Sequence, residues 1–582
     1  VPTGEFSLRE IPFSHPGSWF GVSPVVAEAT YADDLHLVSH RHGLHAVLAL
    51  VPESGGERAD IPVAATPAAL TWGTGDRRIT AAFAGPDTLR IAGRGLALRI
   101  RAAEVTLTPF TGTYFFADPV TGAAVFTSYE TGQRYRVTVL SGQVRYIGAE
   151  ALGTAERAVV VSGDAWEMAI EELPGAREPY APASAFDDVV AAARTEFTAF
   201  ADAVAPWRGE RTPAAELACY VLWSAIVASA GFVGRPAVLM SKHWMDKVWS
   251  WDHCFTALAL AAGQPELAWH QIQVVFDHQD DRGALPDSVT HAEVLRNFVK
   301  PPIHGWALSR LRDRLPGGLP DPGRAYRQLA AWTTFWLEHR RVPGAPFAHY
   351  EHGNDSGWDN ATPFAHRRLV QTPDLAAFLV LQLKELAAMA AAQGGSVAAA
   401  KWAAEADRML AALLDELWDG TKFASRVAAT GEAQSGASLL ELMPIVLGEH
   451  LPPAVRDRLV TGLEAHLTAI GLATERPESP HYEPDGYWRG PVWAPATVLI
   501  EDGLRRAGAT DLADRVSARF RAVCEKSGFA ENFDALSGDG LRDRAYTWTA
   551  AAYLLLSAEA ERRTPEGRRL TAYSTESTTA PH

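Results

Sequence analysis

Four stretches of this chain crowd tryptophan or phenylalanine together with acids, arginine or histidine, and all four lie in its C-terminal two-thirds. Residues 241–255 (SKHWMDKVWSWDHCF) set Trp249, Trp251 and Asp252 at the mouth of a predicted helix. Residues 279–286 (QDDRGALP) are followed by 300–306 (KPPIHGW), where His304 begins a helix beside Trp306. Residues 349–364 (HYEHGNDSGWDNATPF) pack Glu351, Asp355 and Asp359 around Trp358. The fourth is a pair of segments: 481–495 (HYEPDGYWRGPVWAP) frames Arg489 with Trp488 and Trp493, and 529–544 (FAENFDALSGDGLRDR) sets Glu531 between Phe529 and Phe533. A sugar presents flat C–H faces beside hydroxyls, so a site that stacks on one and hydrogen-bonds the other uses this mixture. Cleaving a glycosidic bond then takes one carboxylic acid to protonate the leaving oxygen and a second carboxylate acting on the opposite face.

Each of these residues also has a plainer reading. Asp252 stands where an Asp caps a helix. Asp280 and Asp281 suit a solvated turn, and a histidine at a helix start is commonly structural. Glu531 is either a helix-terminal acid in water or a carboxyl whose apolar neighbours raise its pKa toward neutrality, which suits proton exchange. On their own residues Glu351, Asp355 and Asp359 are equal rivals within one polar segment. His349 and His352 add metal donors there, but the spacing fits neither a zinc helix motif nor a calcium loop. No cofactor is expected, with a structural calcium left open. The chain has no Gly-x-Ser-x-Gly elbow and no phosphate-binding Gly-Lys-Ser/Thr loop, which removes the usual sequence support for those chemistries.

The elements that must position these residues divide the chain in two. From about residue 31 to 172, short alternating or β-branched runs such as 89–100 (LRIAGRGLALRI) and 134–140 (RYRVTVL) recur between turn residues, which predicts an antiparallel β-sandwich. Near residue 181 the period changes, and 185–204 reads as a helix joining the halves. About twelve amphipathic stretches follow, from 212–230 to 547–562, including one over 435–448. Twelve helices pair into six hairpins and can close into an (α/α)6 toroid whose long joins gather at one rim. The fold expected is therefore mainly α: a β-sandwich over 1–180, a helical linker over 181–207, a toroid over 208–562 and a flexible Thr/Ser-rich tail over 563–582.

Bulk properties agree with a globular enzyme on a neutral ligand. A chain of 582 residues exceeds the ~250–300 at which single cores stop growing. The net charge of −16, without a concentrated basic stripe, argues against nucleic acid. No uninterrupted apolar run approaches the ~20 residues of a membrane span, and no membrane partner is expected. The N-terminal residues lack the pattern of a signal peptide, and the three cysteines sit singly in apolar helical patterns, so a cytoplasmic location is expected. Oligomeric state is not readable.

Five ordered landmarks carry a family resemblance: VWSWDHCF (248–255), SGWDNAT (356–362), TPDLAAFL (372–379), GYWRGPVW (486–493), and AENFDALSG (530–538) followed by TWTAAAYLL (547–555). In series they resemble glycoside hydrolase family 63 and, more distantly, the family 37 trehalases. The resemblance implies an (α/α)6 barrel and hydrolysis of an α-linked sugar with inversion. It implies Asp359 as general acid and Glu531 as general base, with Asp252 and Arg489 gripping the sugar and Trp251, Trp358 and Trp493 as walls; Trp249 and His304 complete the expected substrate contacts. The N-terminal half shows no comparable landmark. The expected substrate is a small carbohydrate, an oligosaccharide or small glycoside cleaved in an exo, α-glucosidase-like manner. Another toroid glycosidase, such as an α-rhamnosidase, a trehalase or a mannosyl- or glucosylglycerate hydrolase, and a non-catalytic sugar binder are the alternatives.

Overall fold

The computed structural model describes residues 4–434 and 436–564; the tail expected after residue 563 lies almost wholly outside the described residues. Two compact units emerge. One comprises residues up to Ala203 with Cys219–Lys247 and Thr290–Glu293; the other comprises Val204–Ala218, Val248–Val289 and the chain from Val294 on.

The first unit is built on thirteen strands joined in one antiparallel hydrogen-bonded network. Ala158–Leu173 is its spine. This strand pairs along one side with Arg134–Ile147, and on the other with Ala97–Ala102 through its first half and Thr88–Arg94 through its second. Strict alternation between buried and part-exposed residues along Ala97–Ala102 shows why the sequence folds this way, since period-2 burial gives each strand one face for a core. That core gathers Phe20, Leu37, Trp72, Phe115, Tyr135 and Trp166 among others, each worth ~1.5–3 kcal/mol of apolar burial. Helix α1 (Phe186–Val204) follows the sheet, and α2 (Ala215–Ala225) crosses the boundary in the chain between the units.

The second unit is helical. Its long helices are α3 (Asp252–Leu260), α4 (Pro265–Phe276), α5 (His304–Arg314), α6 (Pro322–His339), then, after the single turn α7 (Gly353–Ser356), α8 (Pro373–Ala392), α9 (Ser396–Ala412), α10 (Pro453–His466), α11 (Ala494–Arg506), α12 (Thr510–Ser527) and α13 (Thr547–Arg563). Proline near the first helical position starts α4, α6, α8 and α10, where a missing N–H is harmless. The segment expected as an α-helix over 435–448 is instead wound as 3-10 turns over Leu439–His450, broken by a kink at Gly448 (φ 52°, ψ −120°). Pro444 sits inside it and has no N–H to donate to either kind of winding.

Packing separates two kinds of helix. α3 packs on α5, α5 on α8, α8 on the 3-10 segment, that segment on α11, α11 on α13, and α13 returns to α3. α8 is buried continuously from Pro373 to Leu383, as expected of a helix apolar on all sides. By length and composition α8 could cross a membrane, but it is mostly buried among its neighbours. α4, α9, α10 and α12 pack against members of this set and keep exposed faces. Five of the six mutually packed elements are entered from the polar joins picked out in the sequence: α3, α5, α8, α11 and α13.

Candidate active site

The polar segment 349–364 wraps around α7. His352 caps this turn by accepting from the Asn354 N–H at 3.1 Å. Gly357 ends it in the left-handed region (φ 71°), with the Trp251 ring so close that a Cβ would stand 2.3 Å from it. The three acids of the segment, indistinguishable in sequence, part company here. Asp355 is buried and fully engaged, accepting from the N–H groups of Val299 (3.0 Å) and Glu351 (2.8 Å) and pairing with Arg340 (2.8 Å). Glu351 is exposed and shares Arg340 at 3.2 Å. Asp359 follows the glycine turn, half-buried, its carboxyl raised above the usual range first by burial, with Lys300 opposing and Asp287 reinforcing. Asn360 anchors the segment to the next loop, donating to the Gly486 carbonyl and accepting from the Trp488 N–H, both at 3.0 Å.

Asp252 opens α3 without capping it: the N-cap is Trp251 and no side-chain cap bond forms. One Asp252 oxygen is instead buried without a hydrogen bond. Burial pushes this carboxyl up to about 8, against the pull of Lys300 and with Asp287 and Asp359 adding to it. Lys300 is the cation among these three acids. Its buried ammonium donates to the Asn354 carbonyl at 2.8 Å and pairs with Asp287 at 3.0 Å. Burial alone would lower its pKa, but Asp287, Asp359 and Asp252 reverse that, and it is raised.

Glu531 occupies the join before α13. Its N–H donates to the Asp543 carbonyl at 2.7 Å, and the Thr549 hydroxyl on α13 holds the neighbouring Ala530 carbonyl at 2.7 Å. Both of its carboxylate oxygens are buried without a regular hydrogen bond. Burial, followed by the charge of Asp543, raises it to about 8; Arg542 and the nearby Tyr487 hydroxyl draw it down. Tyr487 connects the two acids. Its hydroxyl is held well above its ordinary pKa by burial and then by the charges of Glu531 and Asp359. Tyr546, just ahead of α13, is likewise raised by burial and then by Glu531, Tyr487 and Asp252. Asp252, Asp359 and Glu531, from three different joins, thus share one electrostatic neighbourhood.

Tryptophans form the frame. Trp488 stacks on Trp493 (centroids 4.1 Å, 8° apart) and meets Trp358 at 4.7 Å; Trp493 contacts Trp548, which meets Trp251 edge-on at 5.2 Å. Trp251, Trp358 and Trp493, expected as walls, are therefore linked in one aromatic series. Trp249 lies in a two-residue strand paired with Ser288–Val289, which brings the Asp252 and Asp287 segments together. Arg489 forms an ion pair with Glu483 of its own loop at 2.9 Å.

His304, expected to touch substrate, opens α5. It is fully buried, edge-on to Phe276 and Trp332, and its Nε2 meets the Ser250 carbonyl at 2.9 Å. Burial lowers it to about 4; its Nε2 holds the backbone two residues before Asp252, while its Nδ1 is buried without a hydrogen bond. Asp287, Lys300, Tyr487, Arg542 and Tyr546 were not singled out from the sequence. Lys300 and Tyr487 lie inside polar segments that the sequence does mark, but His304 and the tryptophans are the more conspicuous residues there. Asp287 follows a turn whose own acids are exposed, and nothing local marks it.

A helical unit that gathers buried carboxyls within an aromatic frame has the parts that a carbohydrate-cleaving hydrolase uses. Residues 245–549 match the family model for the mannosylglycerate hydrolase MGH1-like glycoside hydrolase domain, and the chain belongs to that family, within glycoside hydrolase family 63. A mannosylglycerate hydrolase of Rubrobacter radiotolerans is 25% identical over 401 residues, which is 53% of this chain and 89% of that one. The family 63 mannosylglycerate hydrolase of Thermus thermophilus, solved with glucose, superposes with a TM-score of 0.52 at 22% identity, covering 59% of this chain and 99% of that one. A bacterial glucoamylase solved with acarbose aligns over 95% of both chains with a TM-score of 0.59 at 11% identity, a likeness of fold alone. The protein is a glycoside hydrolase.

Proposed function

We propose that this enzyme hydrolyses a small α-linked glycosyl-glycerate with inversion, Asp359 acting as general acid and Glu531 as general base. The observation that carries the pairing is the loop around Tyr487, held to Asn360 beside Asp359 through Gly486 and Trp488 (3.0 Å each) and to Phe533 in the Glu531 join through Val492 (2.7 and 3.1 Å). The curated relative's name, mannosylglycerate hydrolase, supports a sugar joined to glycerate over the α-glucosidase-like oligosaccharide substrate expected from sequence. The closed series of packed helices supports an (α/α)6 toroid with its catalytic joins at one rim.

In this mechanism Asp359, raised by burial, keeps a proton for the departing glycerate oxygen, and Lys300 steadies the carboxylate left behind. Glu531 takes a proton from the attacking water on the opposite face. Asp252 accepts from sugar hydroxyls, and the tryptophan frame excludes bulk water. The productive form is the one with the proton on Asp359 and with Glu531 ionised.

Purified enzyme is to be incubated with mannosyl- and glucosylglycerate beside a panel of α-linked disaccharides, with fresh products followed by proton NMR. Cleavage of a glycosyl-glycerate that releases the β-anomer first is expected; immediate α-anomer defeats inversion. Asp359→Asn and Glu531→Gln should each lower turnover by about 10²–10⁴-fold while sugar binding stays measurable. Wild-type-like turnover in either variant defeats the pairing.

A further inference from the structure

Only four non-glycine residues among those described adopt positive φ, and two of them, Tyr487 and Arg542 (both φ 61°), meet at one contact. The Arg542 guanidinium lies 4.8 Å from the centre of the Tyr487 ring. It also donates to the Asn532 side-chain oxygen at 3.1 Å, next in sequence to Glu531, and pairs with Asp485 at 2.7 Å in the Tyr487 loop. A left-handed conformation for such bulky residues costs about 1–3 kcal/mol each and persists only where surrounding contacts enforce it. One side chain therefore binds the 482–493 loop to the strand pair Asn532–Phe533 and Gly540–Leu541, which leaves the Glu531 join. The Val492 and Phe533 backbones close the same seam with mutual bonds of 2.7 and 3.1 Å.

We propose that Arg542 is the positioning residue of the catalytic pair, clamping the Tyr487 loop onto the Glu531 join. This deepens the acid–base reading above and rests on it. The groups that face Glu531 are Asp543 and Arg542 on its own segment, Tyr487 on the neighbouring loop and Tyr546 ahead of α13. Asp543 opposes ionisation and Arg542 favours it; Tyr487 favours it through its hydroxyl. Removing Arg542 leaves the anion beside Asp543 without its cation and frees Tyr487 to leave its strained conformation.

The test is the pH profile of kcat/KM on the cleaved glycosyl-glycerate for wild type, Arg542→Gln, Arg542→Lys and Glu531→Gln. In Arg542→Gln one limb of the profile should move to higher pH by about one unit, and the rate at pH 7 should fall by about tenfold, since the base must be ionised. Arg542→Lys, which keeps the charge and loses the planar stacking group, should return the limb most of the way to wild type and confirm a folded site. An unmoved limb in Arg542→Gln, beside inactive Glu531→Gln, overturns the role of Arg542 and leaves the acid–base reading standing. Wild-type-like turnover in Glu531→Gln overturns that reading itself.

Discussion

Asp355 and Asp359 are four residues apart, yet only one is left with a carboxyl to spare. Two backbone N–H groups and Arg340 consume Asp355, while the Gly357 turn carries Asp359 on to Lys300 and Asp252. The sequence made them rivals, and family resemblance alone favoured Asp359; in the structure it is Asp355 whose oxygens are taken up by hydrogen bonds. Those partners come from residues 299 and 340, too far along the chain for local pattern to reveal. Glu531 carries its own stability signature. Its folded-state pKa of about 8 lies above the ordinary value of about 4.3 for a glutamate. Between those values the folded protein holds a proton that the unfolded chain has released, so stability falls as pH rises through the window. A glutamine at this position cannot ionise and escapes this loss. Thermal unfolding of Glu531→Gln beside wild type should show the variant gaining on wild type by about 1 kcal/mol or more between pH 5 and pH 8. A difference that does not change with pH would mean that Glu531 is already ionised in the folded protein.

At the scale of elements, the starts of α4, α8 and α10 are local in sequence, each set by a proline in the first turn ahead of an apolar helical period. The helical period failed over Leu439–His450, where the same apolar spacing is wound as 3-10 turns and broken at Gly448. The joins were less legible, because their conformations answer to distant neighbours. Gly357 shows this dependence: the left-handed turn can be read from a glycine ahead of Trp-Asp, but the Trp251 ring against it cannot. Gly394, just past the end of α8, has nearly the same φ (77°), with nothing within 4 Å of the place a Cβ would take. Gly394→Ala should therefore cost only about 1 kcal/mol, the conformational penalty alone. Gly357→Ala should cost about 2–4 kcal/mol, since it adds a collision with Trp251, and should lower activity by displacing Asp359. Denaturant melts and turnover of the two variants check this pair; equal losses would remove the Trp251 contact as the cause.

At the scale of the whole molecule, the change of period in the sequence cuts the chain cleanly in two at residues 181–207, whereas the first compact unit also takes in Cys219–Lys247 and Thr290–Glu293. Period alone could not reveal this, because 212–230 scans as one more amphipathic helix and its burial partners lie some 200 residues earlier. Tyr220 stacks on Phe6 at 4.4 Å, the Trp19 indole donates to the Ala228 carbonyl at 3.0 Å, and the buried Lys242 ammonium donates to the Ser14 hydroxyl at 3.0 Å. A fragment that starts at residue 208, the natural cut by sequence, keeps one side of each contact and loses the other. Tyr220, Leu222, Trp223 and Val238, all but fully buried in the intact chain, would then lose the N-terminal part of the unit they belong to. Exposing several such side chains together forfeits on the order of 5–10 kcal/mol of apolar burial and leaves Lys242 without its hydroxyl partner. The 208–564 fragment should accordingly be recovered mostly as aggregate, or melt well below the full chain, even though it contains every residue assigned to the catalytic pair. Restoring solubility by co-expressing residues 1–207 as a separate chain would support this account; a stable, monomeric and active 208–564 fragment would refute it.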